Sequence, residues 1–295
     1  MSARTSGGAG EEREATAPLG RPRSERAVTI SDAGFYLVLI VISLTYLLLI
    51  VSMLAADFAF MARETGSAAG QGPIAAALAE PKIRYSIWLS MTSCTLSAIL
   101  SLWVAVPLGY LISRYPFFGR NLVDAIIDIP IVLPPLVVGL SLLILFQFWP
   151  FRLLAREIVY QVPAVVLAQF AVACAFAVRT MKTTFDHIDP RCEQVARSLG
   201  CTRLQAFGWV VLPEARRGMT TAFTLAWARS LGEFGPLLIF AGATRMKTEV
   251  LSTTVFLEMN VGDIAAAVAV SLIMVAAAIV VLIIARLWGT REGLL

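Results

Sequence analysis

Long apolar runs without charged residues dominate the chain, and short polar connections separate them. Five such runs lie at Phe35–Ala56, Tyr85–Ser113, Ile129–Phe151, Ile158–Val178 and Ile264–Ala285. A sixth run, Gly218–Thr244, is apolar except for Arg229 and Glu233. Each is long enough for a helix to cross a hydrocarbon core, which takes about 20 residues. The pattern predicts an all-α membrane protein with six transmembrane helices, because the runs lack the alternation of barrel strands.

The overall composition agrees with a membrane protein and excludes an ordinary soluble domain. Apolar residues make up 58% of the chain, charged residues only 15%, and the mean hydropathy is +0.78. Residues 1–30 differ, since they contain five arginines, four glutamates and many small residues but no apolar run. We predict a disordered cytoplasmic tail at 1–30, followed by a transmembrane domain at 31–295.

The distribution of basic residues predicts the orientation of the chain. Connections on the side of the N-terminus carry sixteen Lys and Arg, and those on the other side carry seven. Because cytoplasmic connections are enriched in basic residues, both termini are predicted to be cytoplasmic, in a multi-pass protein of the cell inner membrane. This bias explains most of the net charge of +4, and no clustered basic face indicates binding to nucleic acid.

The longest predicted cytoplasmic connection, Arg179 to Gly218, contains a distinctive segment at 189–213, "DPRCEQVARSLGCTRLQAFGWVVLP". Asp189 and Pro190 are typical of a helix start, with Asp as the N-cap and Pro in the first position. Apolar residues then recur at helical spacing and are interrupted by Gly200. The segment is therefore predicted to form two short helices joined at Gly200, a shape that a groove on a partner protein could receive.

The spacing in this segment resembles the cytoplasmic signature of ABC importer permeases. The matching order is small residues, three residues, Gly, nine residues, an aliphatic residue, one residue, Leu and Pro. Gln194 and Val195 depart from the family, which usually has Glu and Ala there, although Glu193 stands next to them. In that family the segment is a coupling helix that docks on the ATPase subunit. The resemblance implies this role for Glu193, Gln194, Val195, Ala196, Gly200, Leu212 and Pro213.

Three further stretches resemble the molybdate, tungstate and sulfate branch of these permeases. They are "IPIVLPPLVVGLSLL", "VVLAQFAVACAFAVRTMKTTFDHIDPR" and "ARSLGEFGPLLIFAG". The resemblance covers residues 85–290 and implies the type I permease fold. It also implies a homodimer served by cytoplasmic ABC ATPase subunits and by an extracytoplasmic substrate-binding protein.

Charged and helix-breaking residues inside the spans are candidates for a pore or gate. Arg229 and Glu233 are one helical turn apart at a depth where ionisable groups are costly and usually line a protein interior or a watery path. They fit either a structural ion pair or a place near the translocation path. Glycines and prolines nearby permit kinks. The pore and gate candidates are Arg229, Gly232, Glu233, Gly235, Pro134 and Pro135.

The sequence shows no catalytic machinery and no metal-binding pattern. A phosphate-binding loop ending in Lys-Ser or Lys-Thr is absent, and the single histidine, His187, has no neighbour at metal-ligand spacing. Asp124 and Asp128 are interpreted as solvated charges at the cytoplasmic mouth of a span. We therefore predict a translocating subunit, not an enzyme, without a cofactor of its own, and expect ATP and Mg on the partner ATPase.

The predicted function is the pore-forming permease subunit of an ATP-driven importer for an oxyanion such as molybdate, tungstate or sulfate. The alternatives are an ABC permease for another small solute, a secondary transporter, or a membrane anchor without transport. A secondary transporter would need internal repeats and a carboxylate relay at the midplane, where the sequence offers only Glu233. An anchor would not explain the spacing between Gly200 and Leu212-Pro213.

Overall fold

The structure, a computed structural model, describes residues 30–67 and 73–290. Within these ranges the chain is helical apart from turns and connections, in the following order: α1 (Ile30–Ser67), α2 (Pro73–Ala79), α3 (Pro81–Arg114), α4 (Arg120–Val132), α5 (Pro135–Leu145), α6 (Ala155–Ile158), α7 (Val162–His187), α8 (Pro190–Ser198), α9 (Arg203–Ala206), α10 (Leu212–Glu214), α11 (Arg216–Leu231), α12 (Leu251–Val261) and α13 (Ile264–Thr290). A 3₁₀ turn covers Phe151–Leu153, and π-helical segments cover Phe207–Val211 and Leu237–Ala241.

The chain divides into two compact units, residues 1–55 and residues 56–295. The described part of the first unit is the N-terminal portion of α1, whose apolar side chains are exposed, as at Tyr46 and Leu48. The second unit contains the other helices and the hydrophobic core. The predicted disordered tail at 1–30 lies outside the described residues except for Ile30.

The helical fold predicted from the sequence is confirmed, with differences in the individual spans. In the described ranges, four stretches are long and apolar enough to cross a membrane, at Gly34–Arg63, Pro81–Arg114, Val162–His187 and Ile264–Ile284. A fifth span results if the bent pair α4 and α5 is counted as one. Four of the six predicted spans are thus continuous helices, and the other two are broken.

The third predicted span, Ile129–Phe151, is not a continuous helix. Helix α4 ends at Val132, α5 begins at Pro135, and the two axes meet at 113°. Pro134 and Pro135 explain the break, because neither has an amide hydrogen to donate and a residue before proline is disfavoured in the helical region. Leu133 accordingly adopts an extended conformation. The prolines therefore end one helix and start another, which is more than the kink that the sequence indicated.

The predicted span Gly218–Thr244 is also broken, close to its middle. Helix α11 ends at Leu231 with Gly232 as its C-cap, and the chain leaves helical geometry at Glu233 and Phe234. It resumes as the short segment that contains the π-helical residues Leu237–Ala241. Irregular backbone at membrane depth is tolerated only where protein buries it or a water-filled cavity satisfies it, which fits the burial of Glu233 at 1% exposure.

Helices α3, α7 and α11 pack closely around the centre of the second unit, and small residues make this possible. One face of α3 consists of buried serines at successive turns, namely Ser86, Ser90, Ser93, Ser97 and Ser101. The Ser97 hydroxyl donates to the Val166 carbonyl of α7 at 2.9 Å. A Cβ on Gly109 would lie 2.9 Å from the Lys182 backbone nitrogen. Serine and glycine thus allow the close helix contacts that are typical of membrane proteins.

Helix α4 is attached to α7 through charged side chains, and it also packs Val123 and Ile127 against the core, although none of its residues is fully buried. Arg179 pairs with Asp124 at 2.8 Å and with Asp128, while the Lys182 Nζ atom lies 3.0 Å from Asp124 Oδ2. These contacts correct the interpretation of Asp124 and Asp128 as solvated charges. The sequence could not reveal the pairing because 55 residues separate Asp124 from Arg179.

Candidate coupling and gating sites

The first half of the candidate coupling segment is helix α8, and its start is as predicted. The Asp189 side chain accepts a hydrogen bond from the Arg191 amide at 2.9 Å, and Pro190 occupies the first helical turn. Asp189 therefore satisfies one of the amides that a helix N-terminus leaves without a partner. Glu193 lies in the same first turn, where a negative charge is favoured by the helix dipole.

Gly200 forms the turn between the two short helices, in agreement with the sequence prediction. Its φ of +96° lies in the left-handed region, which glycine adopts without steric cost. The amides of Gly200 and Cys201 donate to the carbonyls of Arg197 and Ala196, the paired bonds of a Schellman motif. Two residues later Thr202 and Gln205 cap α9 reciprocally. The turn therefore has a fixed geometry.

The turn presents three large apolar side chains outward, and we call them the coupling surface: Val195, Leu199 and Leu204. Their exposed fractions are 58%, 81% and 79%. Gln194 is also exposed, whereas Ala196 is buried. A cluster of exposed apolar side chains on a polar segment is typical of an interaction site. Leu212 and Pro213 lie further along the chain, at the start of α10.

The inner side of the segment is fastened to the transmembrane helices α3 and α7. The Tyr110 hydroxyl donates to Glu193 Oε1 at 2.9 Å. The Tyr110 ring lies 4.7 Å from the Phe207 ring and 5.5 Å from the Phe185 ring, centroid to centroid. Sequence reasoning missed Tyr110 and Phe185, because no local pattern links them to a segment up to 83 residues away. The segment is therefore packed directly against α3 and α7.

Two of the candidate gate residues, one from each broken span, meet at a crossing. A Cβ on Gly235 would lie 2.8 Å from Pro135 Cβ and 2.9 Å from the Leu136 backbone nitrogen. A Cβ on Gly139, one turn further along α5, would lie 2.7 Å from Pro236 Cα. The structure thus brings Pro135 and Gly235 together, because the start of α5 and the segment after α11 are in close backbone contact. Pro134 precedes α5, and its carbonyl accepts from the Val137 amide at 2.9 Å.

Gly235→Ala is expected to destabilise the protein by about 1–3 kcal/mol, the usual cost of overpacking. The added methyl would meet backbone atoms of α5, which cannot rotate away. Gly232→Ala is the matched control, because its Cβ would have no neighbour nearer than 3.9 Å. Thermal unfolding of the purified variants measures the difference. Equal melting temperatures for the two variants would contradict the close crossing.

Arg229 and Glu233 form an ion pair next to this crossing. Arg229 Nη1 lies 2.7 Å from Glu233 Oε2, but both carboxylate oxygens lack an aligned hydrogen bond among the described residues. The contact is therefore an electrostatic pair without good hydrogen-bond geometry. The Arg229 guanidinium also lies over the Phe176 ring, 5.6 Å from its centroid. Gly232, the remaining gate candidate, ends α11 between the two charged residues.

A second group of charges, which sequence reasoning did not predict, joins the connection after Leu237–Ala241, helix α12 and the start of α3. Glu258 is buried and accepts from Arg245 at 2.8 Å, with Lys82 Nζ 3.1 Å away. Glu249 is fully buried, and its nearest cation is Arg245 at 4.0 Å. Arg245 thus holds the connection after the gate segment against α12, while Lys82 ties the start of α3 to the same point.

The pKa values of the two buried carboxyls of this group are shifted in opposite directions. Burial raises the pKa of Glu249 above its ordinary value, and Arg245 offsets this only in part. Burial also acts on Glu258, but the hydrogen bonds from Arg245 and Lys82 outweigh it and lower the pKa of Glu258. Desolvation favours the neutral acid and ion pairing favours the carboxylate. Their effects on stability should therefore have opposite pH dependence.

Glu249→Gln is expected to melt a few degrees higher than the unmodified protein at neutral pH, and this difference should disappear at acidic pH. A carboxyl with a raised folded pKa favours folding below its unfolded pKa of about 4.3 and loses that contribution at higher pH. Glu258→Gln should behave oppositely, since a lowered pKa stabilises above that value and the contribution is lost as pH falls. Thermal unfolding from acidic to neutral pH tests both. If the melting temperatures of Glu249→Gln and the unmodified protein changed in parallel with pH, burial would not raise the pKa of Glu249.

Comparison with known proteins identifies the family of the chain. The family model described as "binding-protein-dependent transport system inner membrane component" matches residues 105–291. The chain is 32% identical over 218 residues to a sulfate transport system permease protein CysT of Salmonella typhimurium, covering 72% of this chain and 79% of that protein. It is 36% identical over 203 residues to a probable molybdenum ABC transporter permease protein of Haloferax volcanii, covering 68% of this chain and 74% of that protein.

A shorter match and a solved structure extend the comparison. A molybdate/tungstate transport system permease protein WtpB of Pyrococcus abyssi is 35% identical over 162 residues, covering 55% of this chain and 62% of that protein. A bacterial alginate ABC transporter, crystallised with an alginate pentasaccharide-bound periplasmic protein, has a chain that superposes with a TM-score of 0.71 at 16% identity. That superposition covers 91% of this chain and 99% of the other. The chain belongs to the family of binding-protein-dependent transport system inner membrane components.

Proposed function

We propose that this chain is the pore-forming permease subunit of an ATP-driven importer for an oxyanion of the sulfate and molybdate class. The substrate class rests on the relatives named for sulfate, molybdenum and molybdate/tungstate transport. The role of an energy-coupled permease is carried by one observation. The turn at Gly200 presents the coupling surface outward while Tyr110, Phe185 and Phe207 fasten its inner side to α3 and α7.

The proposed partners are a second copy of the chain, two cytoplasmic ABC ATPase subunits that bind ATP and Mg, and an extracytoplasmic substrate-binding protein. Val195, Leu199 and Leu204 would enter an apolar cleft on the ATPase, as a helical ligand enters a groove. Closure of the ATPase dimer would then push the segment, and Tyr110 would pass the movement to the spans. The chain itself translocates the substrate without catalysing a reaction.

The crossing of Pro135 and Gly235 is the proposed gate. Two helices that both break at the same place can move apart as half-spans, because hinges are a few element-terminal residues that absorb backbone rotation. The pore would alternate between inward-open and outward-open states whose populations depend on ATP and on docked binding protein.

Reconstitution into liposomes tests the function. The chain would be purified with a candidate ATPase and a candidate binding protein from the same genome, and uptake of labelled sulfate and molybdate would be measured with ATP enclosed. We expect uptake that needs all three proteins and stops when the ATPase carries a substitution of its phosphate-binding lysine. Uptake by the chain alone would contradict the proposal and favour a secondary transporter. Calorimetry on the binding protein would identify the oxyanion.

The proposed orientation has a separate test by cysteine labelling from one side of the membrane. A single cysteine at Met246, which is 53% exposed, should react with an impermeant reagent added outside intact cells. A single cysteine at Arg203 should react only after permeabilisation. The background chain would have its four native cysteines replaced. Labelling of position 203 from outside would contradict a cytoplasmic coupling segment.

A further inference from the structure

Three arginines lie beside the coupling surface, and within the described residues none of them has a partner. Arg191, Arg197 and Arg203 are exposed, and their guanidinium groups make no ion pair or hydrogen bond in the described ranges. Arg191 precedes Val195 by one helical turn and therefore shares its face of α8. Arg203 is next to Leu204, in the first turn of α9. The apolar coupling surface thus has unpaired cations at its edge.

The acidic residues of the same segment are engaged within the chain. From 189 to 206 the only charged residues besides these arginines are Asp189 and Glu193. The Asp189 carboxylate accepts from the Arg191 backbone amide. Glu193 is half-buried and accepts from the Tyr110 hydroxyl on the inner side of the segment. The charge that the segment presents outward is therefore mainly positive.

Arginine is the cation best suited to bind a carboxylate at a protein interface. Its planar guanidinium can donate two parallel hydrogen bonds to one carboxylate. Arginine is also enriched in protein interfaces, whereas lysine is depleted, and all the cations of this segment are arginines. Exposed apolar side chains with arginines at their edge therefore fit a protein that has an apolar cleft with acidic residues around it.

A membrane surface is a less suitable partner, because α8 begins well outside the hydrocarbon region. The apolar run of α7 ends at Val178, and α7 continues from Arg179 to His187. This extension gives a rise of about 12 Å, whereas the headgroup layer on each side of a bilayer is roughly 5–8 Å thick. The three arginines thus follow a helix that extends past the headgroups.

We propose that the ATPase cleft that receives the coupling surface has acidic residues at its edge, which pair with Arg191, Arg197 and Arg203. The pairing rests on the proposed function, because it gives the chemistry of the ATPase surface. Exposed charges at the edge of an interface mainly accelerate association and exclude partners of the wrong charge. Apolar contacts act chiefly on the rate of dissociation. The arginines therefore select an ATPase with an acidic cleft, and the coupling surface holds it.

Association kinetics test this pairing. The full chain, purified in a non-ionic detergent without added lipid, would be immobilised and exposed to a candidate ATPase from the same genome, at low and at high salt. We expect the combined variant Arg191→Gln, Arg197→Gln and Arg203→Gln to associate about tenfold more slowly at low salt, with its dissociation rate nearly unchanged. High salt screens exposed charges, so it should slow the unmodified chain toward the rate of the variant.

A control variant removes three arginines from other places and so has the same net charge. Arg120→Gln, Arg152→Gln and Arg156→Gln lie outside the coupling segment, and the last two are exposed on the predicted outer side. We expect this control to associate like the unmodified chain. Equal association rates for the two arginine variants, or an association rate of the unmodified chain that does not change with salt, would overturn the proposal.

Leu199→Ser tests the division between charge and apolar contact. Leu199 is 81% exposed, so its replacement should not disturb the fold. We expect Leu199→Ser to dissociate faster while its association rate is nearly unchanged, which is the opposite of the arginine variant. If both variants act on the dissociation rate alone, the arginines do not steer the ATPase and the acidic edge is wrong.

Gly200→Trp separates a failure of this pairing from a failure of the proposed function. If Gly200→Trp abolishes ATPase binding but the arginine variant associates normally, the acidic edge is wrong and the coupling role stands. If the ATPase does not bind the unmodified chain, or binds Gly200→Trp equally well, both are wrong. An effect of the arginines that appears only in nanodiscs with phosphatidylglycerol, and not in detergent, would assign them to the membrane and overturn the proposal.

Discussion

Gly200→Trp is expected to abolish copurification of the ATPase subunit and substrate-stimulated ATP hydrolysis while membrane insertion remains normal. A Cβ at Gly200 would meet no atom within 4 Å, so a large side chain causes no clash inside the chain. It would stand between Leu199 and Cys201 at the tip of the coupling segment, where the proposed ATPase cleft must approach. The positive φ adds a backbone strain of about 1–3 kcal/mol, which must be separated from the loss of docking.

Gly119→Trp separates the two effects. Gly119 also has a positive φ, +87°, and open space around its Cβ, and it caps α4 in another predicted cytoplasmic connection. The backbone strain is therefore matched, but the position lies outside the coupling segment. We expect Gly119→Trp to retain the ATPase and most of the uptake. Normal ATPase binding by Gly200→Trp, or equal loss in both variants, would contradict coupling at Gly200.

Arg229→Gln is expected to destabilise the protein by about 3–5 kcal/mol, the usual cost of leaving a buried charge without its partner. Glu233 would remain 1% exposed, and its carboxylate has no aligned hydrogen bond to replace the lost cation. Glu233→Gln should cost less, because the Arg229 side chain is 31% exposed and retains the Phe176 ring. Melting temperatures and expression levels measure this asymmetry, and the reverse order would contradict it.

The double variant, Arg229→Gln with Glu233→Gln, should regain most of the stability lost by Arg229→Gln alone. Replacement of both partners of a buried pair by neutral groups is often close to neutral. Uptake by this double variant then distinguishes the two roles that the sequence left open. Normal uptake assigns the pair a structural role, whereas a stable protein without uptake assigns it to the translocation path. No recovery of stability would contradict the ion pair itself.

The features that the sequence predicted correctly are those that depend on neighbouring residues. The N-cap at Asp189 and the turn at Gly200 follow from local backbone chemistry, which acts over a few residues. The apolar runs identified helices for the same reason, since hydropathy depends on composition within one segment. The broken third span was only partly predicted. Pro134 and Pro135 indicate an interruption, but the angle of 113° depends on what α5 packs against.

The features that the sequence did not predict depend on residues far apart in the chain. Only the tertiary structure defines these contacts, which are Tyr110 with Glu193, Asp124 with Arg179, and Glu258 with Arg245 and Lys82. A charge near the end of a span is compatible with solvent, with lipid headgroups or with an ion pair. The sequence offered no means to choose, and the solvated interpretation of Asp124 was wrong because α7 places Arg179 beside it.

The attachment of α4 to α7 through charges has a consequence for the energetics of any movement of α4. Salt screens the attraction between opposite charges, and detachment would separate Arg179 from Asp124 and Asp128. Val123 and Ile127 of α4 also pack against the hydrophobic core, and salt does not screen that contact. A higher ionic strength should thus weaken the attachment of α4 without abolishing it.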